Sequence, residues 1–219
     1  ATVLELEGGM SDPWKNFKSL LEQASEDNSI DAVAIDSIDI AYDCCLNSVC
    51  AEEGILHPGG LNDYGAMWNR VKSEFTSTLN SIKFDTNLGL FLTSHCKEKD
   101  IELNTGNVER TFGPSCTGPA EDYLKKAADF AFFYGRHGNS RAIHIRYNQT
   151  IWTACGISDR FLTSEGKEIA ILGVPTDPKE SGKSLIDAFN NKPFRVIQEY
   201  NEEIDDSLSL PETEEEKKP

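Results

Sequence analysis

Asp36 closes a short apolar run, Asp31-Ala-Val-Ala-Ile-Asp36-Ser37. An acid at the C-terminal end of a buried parallel strand stands where α/β sheets place their ligands. A carboxylate there suits a Mg²⁺ ion held through water, with the Ser37 hydroxyl beside it. The same acid could instead cap a helix that starts at Ser37 or Ile38. Glu7 closes an earlier run, Thr2-Val-Leu-Glu-Leu-Glu7, and precedes Gly8-Gly9, which let the backbone turn sharply. Beside Asp36 across a sheet edge, Glu7 could orient an attacking water as general base; a surface glutamate in a turn is the plainer alternative. Ser94-His95 ends a third run, Leu88-Gly-Leu-Phe-Leu-Thr93, level with Asp36 if the strands are parallel. A polar pair at that place can sense a γ-phosphate by hydrogen bonding, or the histidine is simply satisfied by its neighbours.

An acid of the Asp36 kind is the Walker B element of P-loop ATPases. Its partner is a loop G-x-x-x-x-G-K-[ST] on an earlier strand, whose backbone N–H groups cradle phosphates. No such loop precedes residue 31, and the chain opens at Ala1 on what reads as a second core strand. The expectation is a chain whose first strand and P-loop have been cut away. Ser181-Gly182-Lys183-Ser184 imitates the missing loop, but the required first glycine is Asp177, followed by Pro178. The aspartate would repel phosphate and the proline removes a donor, so the run reads as a decoy. Cys44, Cys45, Cys50 and His57 suggest a metal cluster. Adjacent helical residues point about 100° apart, so Cys44 and Cys45 cannot easily share one ion, and buried thiols are the better reading.

These residues need elements to position them. Ser11-Asp12-Pro13 reads as a helix start, followed by Trp14, Phe17, Leu20, Leu21 and Ala24 on one face. Ile38, Ala41, Tyr42, Cys45 and Val49 repeat at helical spacing. Asn62-Asp63 predicts a cap for a further helix with Tyr64, Trp68, Val71, Phe75, Leu79 and Ile82 on its stripe. The continuous apolar run 88–93 predicts a strand buried on both faces, as in a parallel sheet. The first 93 residues therefore read β-α-β-α-α-β. Lys97–Gly118, rich in Gly, Thr and Asn, suits a loop or hairpin. Asp129–Tyr134 and Arg141–Tyr147 read as strands joined by a turn at Gly135–Ser140.

With 219 residues the chain is long enough for one α/β domain with a sizeable core. It contains no run of 18 apolar residues and its first nine lack a signal-peptide pattern, so a soluble, cytoplasmic protein is expected, with no membrane contact. The six cysteines are expected as reduced thiols. A formal charge of −16 argues against long-range attraction of bare nucleic acid by the chain alone. Part of that charge lies in residues 202–219, which carry eight acids and two lysines and read as a disordered tail. Such a tail either solubilises the protein, or binds a partner or masks a basic surface.

The ordered series Leu-Glu-Leu-Glu7-Gly-Gly, Ala-Ile-Asp36-Ser-Ile-Asp, Cys50 with Gly54-Ile-Leu-His57-Pro, and Asp63-Tyr64-Gly65-Ala-Met-Trp68 is specific when taken together. It continues through Glu74-Phe75, Thr-Ser94-His95-Cys-Lys97-Glu98-Lys99, Ala-Asp129-Phe and Asp159-Arg160-Phe-Leu. From about Leu4 to Pro175 the chain resembles the phage-encoded RecA-like ATPases, an AAA-type nucleotide-binding domain linked to single-strand annealing recombination. The resemblance implies ATP and Mg²⁺ as cofactors, Glu7 as the water-activating acid and Asp36 as the acid associated with Mg²⁺. It implies that Ser94 and His95 contact the γ-phosphate and couple to a DNA-facing segment. Lys97, Lys99 and Arg110 fall in or beside that segment, either touching the DNA backbone or serving as solvated surface charge. Arg141 and Arg160 resemble arginines that reach a nucleotide across a subunit boundary, or they pair with an acid.

The expected fold is α/β: a RecA-like P-loop core with a mostly parallel central sheet flanked by helices, antiparallel strands toward the C-terminus, and the first strand and P-loop absent. Residues 1–201 are expected as the ATPase domain and 202–219 as the acidic tail. The implied activity is ATP binding and hydrolysis in phage or prophage recombination within a bacterial host cell, impaired in this chain. Single-stranded DNA, further copies of the chain, and a single-strand-binding or recombination protein are the expected partners. The rival expectation is a non-catalytic RecA-like module acting through its acidic tail.

Overall fold

A computed structural model describes residues 12–60, 63–102, 108–116, 118–146, 151–193 and 195–199. In chain order the elements are α1 (Pro13–Glu26), β1 (Ala32–Ile35), α2 (Ile38–Glu52), a 3-10 turn at Pro58–Gly60, α3 (Ala66–Asp85) and β2 (Gly89–Leu92). There follow β3 (Cys96–Glu102), β4 (Val108–Pro114), α4 (Pro119–Ala127), β5 (Phe130–Ala131), β6 (Phe133–His137) and β7 (Ser140–His144). The last are β8 (Ala154–Cys155), β9 (Ile169–Gly173), α5 (Pro178–Phe189) and β10 (Val196–Glu199). They fall into two compact units, one within Ala1–Cys96 and Pro114–Lys126, the other within Lys97–Gly113 and Ala127–Pro219. The strand expected at Thr2–Leu6, Glu7, and the acidic tail lie outside the described residues.

In the first unit, α1 starts where its sequence signals it. Asp12 is the N-cap and its Oδ1 accepts the Lys15 N–H at 3.2 Å, with Pro13 in the first turn. Phe75 forms the centre of the core. It is fully buried, stacked with Trp14 at 6.1 Å and edge-on to Tyr42 at 5.1 Å and Tyr123 at 6.3 Å. Rings from α1, α2 and α4 therefore converge on α3. Trp14 and Lys18 both donate to Glu74 Oε1, so the rim of this core is polar and paired.

Two expectations about α3 need correction. Tyr64 lies before the helix at φ 54° and is fully exposed, and Trp68 in the first turn is 37% exposed, edge-on to His57. The buried stripe begins instead at Met67 and continues through Val71, Phe75, Leu79 and Ile82. At about 100° per residue Trp68 falls on the same face as Phe75 and Leu79, and its exposure goes with its place in the first turn of α3, edge-on to His57. The cap comes from Asp63, whose two carboxylate oxygens accept the N–H groups of Gly65 and Met67; Asn62 is outside the described residues.

Strands β1 and β2 pair in parallel, Ile35 opposite Leu92. They are not buried on both faces as the apolar run predicts. Phe91 is 64% exposed, and only Ile35 of these strands is fully buried. A mostly parallel central sheet is likewise not what the described residues form, since the parallel sheet has two strands and the largest sheet is antiparallel.

That larger sheet, in the second unit, runs β10-β9-β7-β6. A two-residue turn at Gly138-Asn139 joins β6 to β7, with Gly138 at φ +58°, so the pair is necessarily antiparallel. Ile145, Phe161, Ile169, Leu172 and Ala188 make its core, with Phe130, Leu185 and Phe189 packed against them. Gly156 is required where it stands, because a Cβ there would meet the Asp129 carbonyl oxygen at 2.8 Å. The sequence Ser181-Gly182-Lys183-Ser184 lies inside α5, its first hydroxyl bonded back to the carbonyls of Pro175 and Asp177. A run whose N–H groups belong to helical turns cannot wrap a phosphate as a loop does.

His144 is 6% exposed, and burial, then the neighbouring His137, pushes its pKa down to about 4. The unfolded chain takes up this proton near pH 6.5 and the folded chain does not. His144 is therefore fully accommodated above pH 6.5, and stability is lost as pH falls from there toward 4. Between pH 7 and pH 5 the second unit should lose about 2 kcal/mol from this group. Urea unfolding of the parent and His144→Leu at both pH values measures it, and equal losses in the two proteins would refute the assignment.

Candidate functional site

The C-terminal ends of β1 and β2 bring together four of the residues singled out by the sequence: Asp36, Ser37, Ser94 and His95. Pairing of these strands in register sets Asp36 beside Thr93, whose hydroxyl donates to Asp36 Oδ1 at 2.5 Å. Two backbone bonds close the junction: Thr93 N–H to Ile35 O at 3.0 Å and Ile38 N–H to Thr93 O at 2.9 Å. Asp36 itself is exposed and does not cap the following helix, whose N-cap is Ser37. The Ser37 hydroxyl is buried and finds no hydrogen-bond partner. An exposed carboxylate next to an orphaned hydroxyl is an all-oxygen donor set of the kind hydrated Mg²⁺ accepts. Among the described residues no cluster of three or more His, Cys, Asp or Glu side chains could hold a metal by itself. A Mg²⁺ ion at Asp36 would thus keep water or phosphate oxygens as its remaining ligands.

Ser94 and His95 follow directly on Thr93, and both are bound to Asp39 in the first turn of α2. Asp39 Oδ1 accepts the Ser94 hydroxyl at 2.8 Å and the Ser115 hydroxyl at 2.9 Å. Its Oδ2 accepts the His95 backbone N–H at 3.0 Å and lies 3.3 Å from the His95 ring Nδ1. Burial pushes the Asp39 carboxyl up, but the bonds from the His95 N–H, Ser94, Ser115 and the His95 ring outweigh it and hold it below the usual carboxylate range. The His95 ring is mostly exposed, so Asp39 orients it without enclosing it. Asp39 is the residue that motif reading passed over. Its only local signal is an acid three places after Asp36, in a helix's first turn.

The remaining candidates lie elsewhere. Lys97 and Lys99 are on β3, and Arg110 on β4 is exposed but within 3.6 Å of Glu98 and 3.8 Å of Asp100. Arg141 is exposed on β7, directly opposite Arg136 of β6. Arg160 lies over the Phe189 ring at 4.7 Å and 3.9 Å from Asp159. Glu7 is outside the described residues. All six cysteines are free thiols, and the Cys45 thiol is pushed up to about 12, chiefly by burial, so it is inert at neutral pH.

A sequence profile described as AAA domain matches residues 3–153, more than half of the chain. The chain belongs to the AAA domain family. No curated protein and no solved structure matches it. AAA domains are P-loop NTPases that typically bind nucleotide and Mg²⁺, and the strand end at Asp36 lies within the matched part of this AAA domain. So do Ser94, His95, Asp39, Lys97, Lys99, Arg110 and Arg141, whereas Arg160 lies beyond it. No helix among the described residues is long and apolar enough to cross a membrane.

Proposed function

We propose that this AAA domain is an ATP-binding, ATP-hydrolysing RecA-like protein of phage or prophage origin that acts on single-stranded DNA in recombination or strand annealing. One observation carries the reading: Asp36 and the Ser94–His95 pair stand at the same end of two parallel strands, linked through the Thr93 hydroxyl. In this reading residues 1–201 are the ATPase domain and 202–219 an acidic tail. Asp36 and Ser37 hold the hydrated Mg²⁺ of the nucleotide, and that ion offsets charge on the phosphate oxygens. Glu7 takes a proton from the attacking water, and Ser94 and His95 hydrogen-bond the γ-phosphate. Arg141 reaches a nucleotide held by another copy of the chain. Two arginines directly opposite each other, Arg136 and Arg141, repel unless an anion is shared between them, which supports this role. Arg160 is the weaker candidate because Phe189 and Asp159 already engage it. Lys97, Lys99 and Arg110 contact the DNA backbone, and a single-strand-binding or recombination protein is the partner in the bacterial cytoplasm.

The 219 residues contain no G-x-x-x-x-G-K-[ST] loop, and its N–H groups and lysine supply most of the phosphate affinity in such enzymes. Titration of this chain with Mg²⁺-ATP should accordingly give a Kd weaker than about 0.1 mM. Low-micromolar binding would place the phosphate site elsewhere in the chain and overturn the assignment. Single-stranded DNA should stimulate hydrolysis by a version of the chain supplied with such a loop ahead of Ala1, read as phosphate release. A protein that binds ATP yet never hydrolyses it would sink the catalytic reading.

A further inference from the structure

The Asp39 carboxylate holds both ends of one excursion of the chain. Chain direction takes β2 through Ser94 and His95 into β3, and β4 back through Ser115 toward α4. Ser94 and His95 on the outgoing side and Ser115 on the returning side all bond to the same Asp39, through both of its oxygens. The two sides are also joined directly, Ser115 N–H to His95 O at 2.6 Å. Thr93, one residue before, is bonded to Asp36. Hydrogen bonds joined through the Thr93–Ser94 backbone thus run from Asp36 to the root of the ribbon that β3 and β4 form as a two-stranded sheet. Asp39 satisfies four groups at once, and a carboxylate with several such bonds is held rigidly in place.

We propose that Asp39 is a positioning residue that clamps both ends of the β3–β4 ribbon to the strand end carrying Ser94 and His95, and so couples phosphate occupancy there to DNA contact by the ribbon. The clamp itself is a property of this chain; the coupling rests on the ATPase reading above. Phosphate bound to His95 and Ser94 competes for, or reinforces, the bonds these residues make to Asp39. Ser115 shares the same carboxylate, so the change is felt on the returning strand as well. By reciprocity, DNA held by the ribbon biases the arrangement at His95. Ser115 hydrogen-bonds Asp39 through its hydroxyl and the His95 carbonyl through its N–H, and neither is a phosphate contact in this reading, so its hydroxyl can be removed without removing one.

Two measurements test the clamp and the coupling separately. Hydrogen exchange on this chain, without nucleotide, should show the His95 and Ser115 amides exchanging about tenfold faster in Asp39→Ala, with α3 amides unchanged. Unchanged exchange at both amides would overturn the clamp whatever the protein's activity. In a version of the chain supplied with a G-x-x-x-x-G-K-[ST] strand and loop ahead of Ala1, Ser115→Ala should lower the ratio of DNA-stimulated to basal ATP hydrolysis about threefold or more, with the basal rate unchanged. Ser115→Thr, which restores the hydroxyl, should recover the ratio. Faster exchange with an unaltered ratio would leave Asp39 a purely structural residue and overturn the coupling. Absence of ATP hydrolysis in the loop-bearing parent protein would overturn the ATPase reading and with it the coupling, while exchange still decides the clamp.

Discussion

In a version of the chain supplied with a G-x-x-x-x-G-K-[ST] strand and loop ahead of Ala1, Glu7→Gln should lower ATP turnover about 10²–10⁴-fold while nucleotide affinity stays within a few-fold. Glutamine keeps the length and hydrogen-bonding reach of glutamate but cannot accept the proton that an attacking water must lose. Asp36→Asn should act differently. It removes a charge next to the bound cation, so binding should weaken with Mg²⁺ present and change little in EDTA. Thr93 can still donate to the remaining carbonyl oxygen of that asparagine, and the junction of β1 and β2 should survive. The pair of variants separates the two acids by role, one visible in turnover and the other in the Mg²⁺ dependence of affinity. Hydrolysis by Glu7→Gln at the parent rate would show that the base is another residue at the sheet edge.

Phe75→Ala should destabilise the first unit by about 3–5 kcal/mol. Phe75 has no exposed surface and touches rings from three other helices, so truncation forfeits both transfer energy and the contacts around a cavity that rigid neighbours cannot collapse. Chemical denaturation followed by tryptophan fluorescence reads this directly, because Trp14 is stacked on Phe75 and 1% exposed. Phe75→Leu should cost less, since it keeps much of the volume. A loss below about 1 kcal/mol for the alanine variant would mean that the ring cluster is not the centre of this core. The effect bears on the site as well, because α2 carries Tyr42 into that cluster about one turn after Ser37 and Asp39.

The elements that present the candidate residues are written locally. Asp12-Pro13 starts α1, the spacing of Ile38, Ala41, Tyr42, Cys45 and Val49 makes one face of α2, and the runs ending at Asp36 and Thr93 become a parallel pair. Capping, helical periodicity and apolar runs act over a few residues, so one sequence suffices to see them. The same local rules expose Asp177 and Pro178 as unfit for a phosphate loop, and the helix found there agrees. Where local pattern and tertiary packing part company, the cause is a missing cover. Trp68 shares the helical face of Phe75 and Leu79 yet is 37% exposed in the first turn of α3, and Phe91 lies in an apolar run yet is largely exposed on its strand.

Asp39 is the clearest case of a role that only the tertiary structure decided. Its partners lie 55, 56 and 76 residues away, at Ser94, His95 and Ser115. No spacing rule links an acid in a helix's first turn to hydroxyls at that distance. What joins them is the pairing of β1 with β2, which brings the end of β2 over the start of α2, and the return of the chain after β4. Composition and periodicity determined that an acid would stand at a strand end beside a polar pair. The packing of α2 against that strand end determined which carboxylate holds the pair. Hydrogen bonds form between groups that are close in space, and closeness across dozens of residues is set by how whole elements pack.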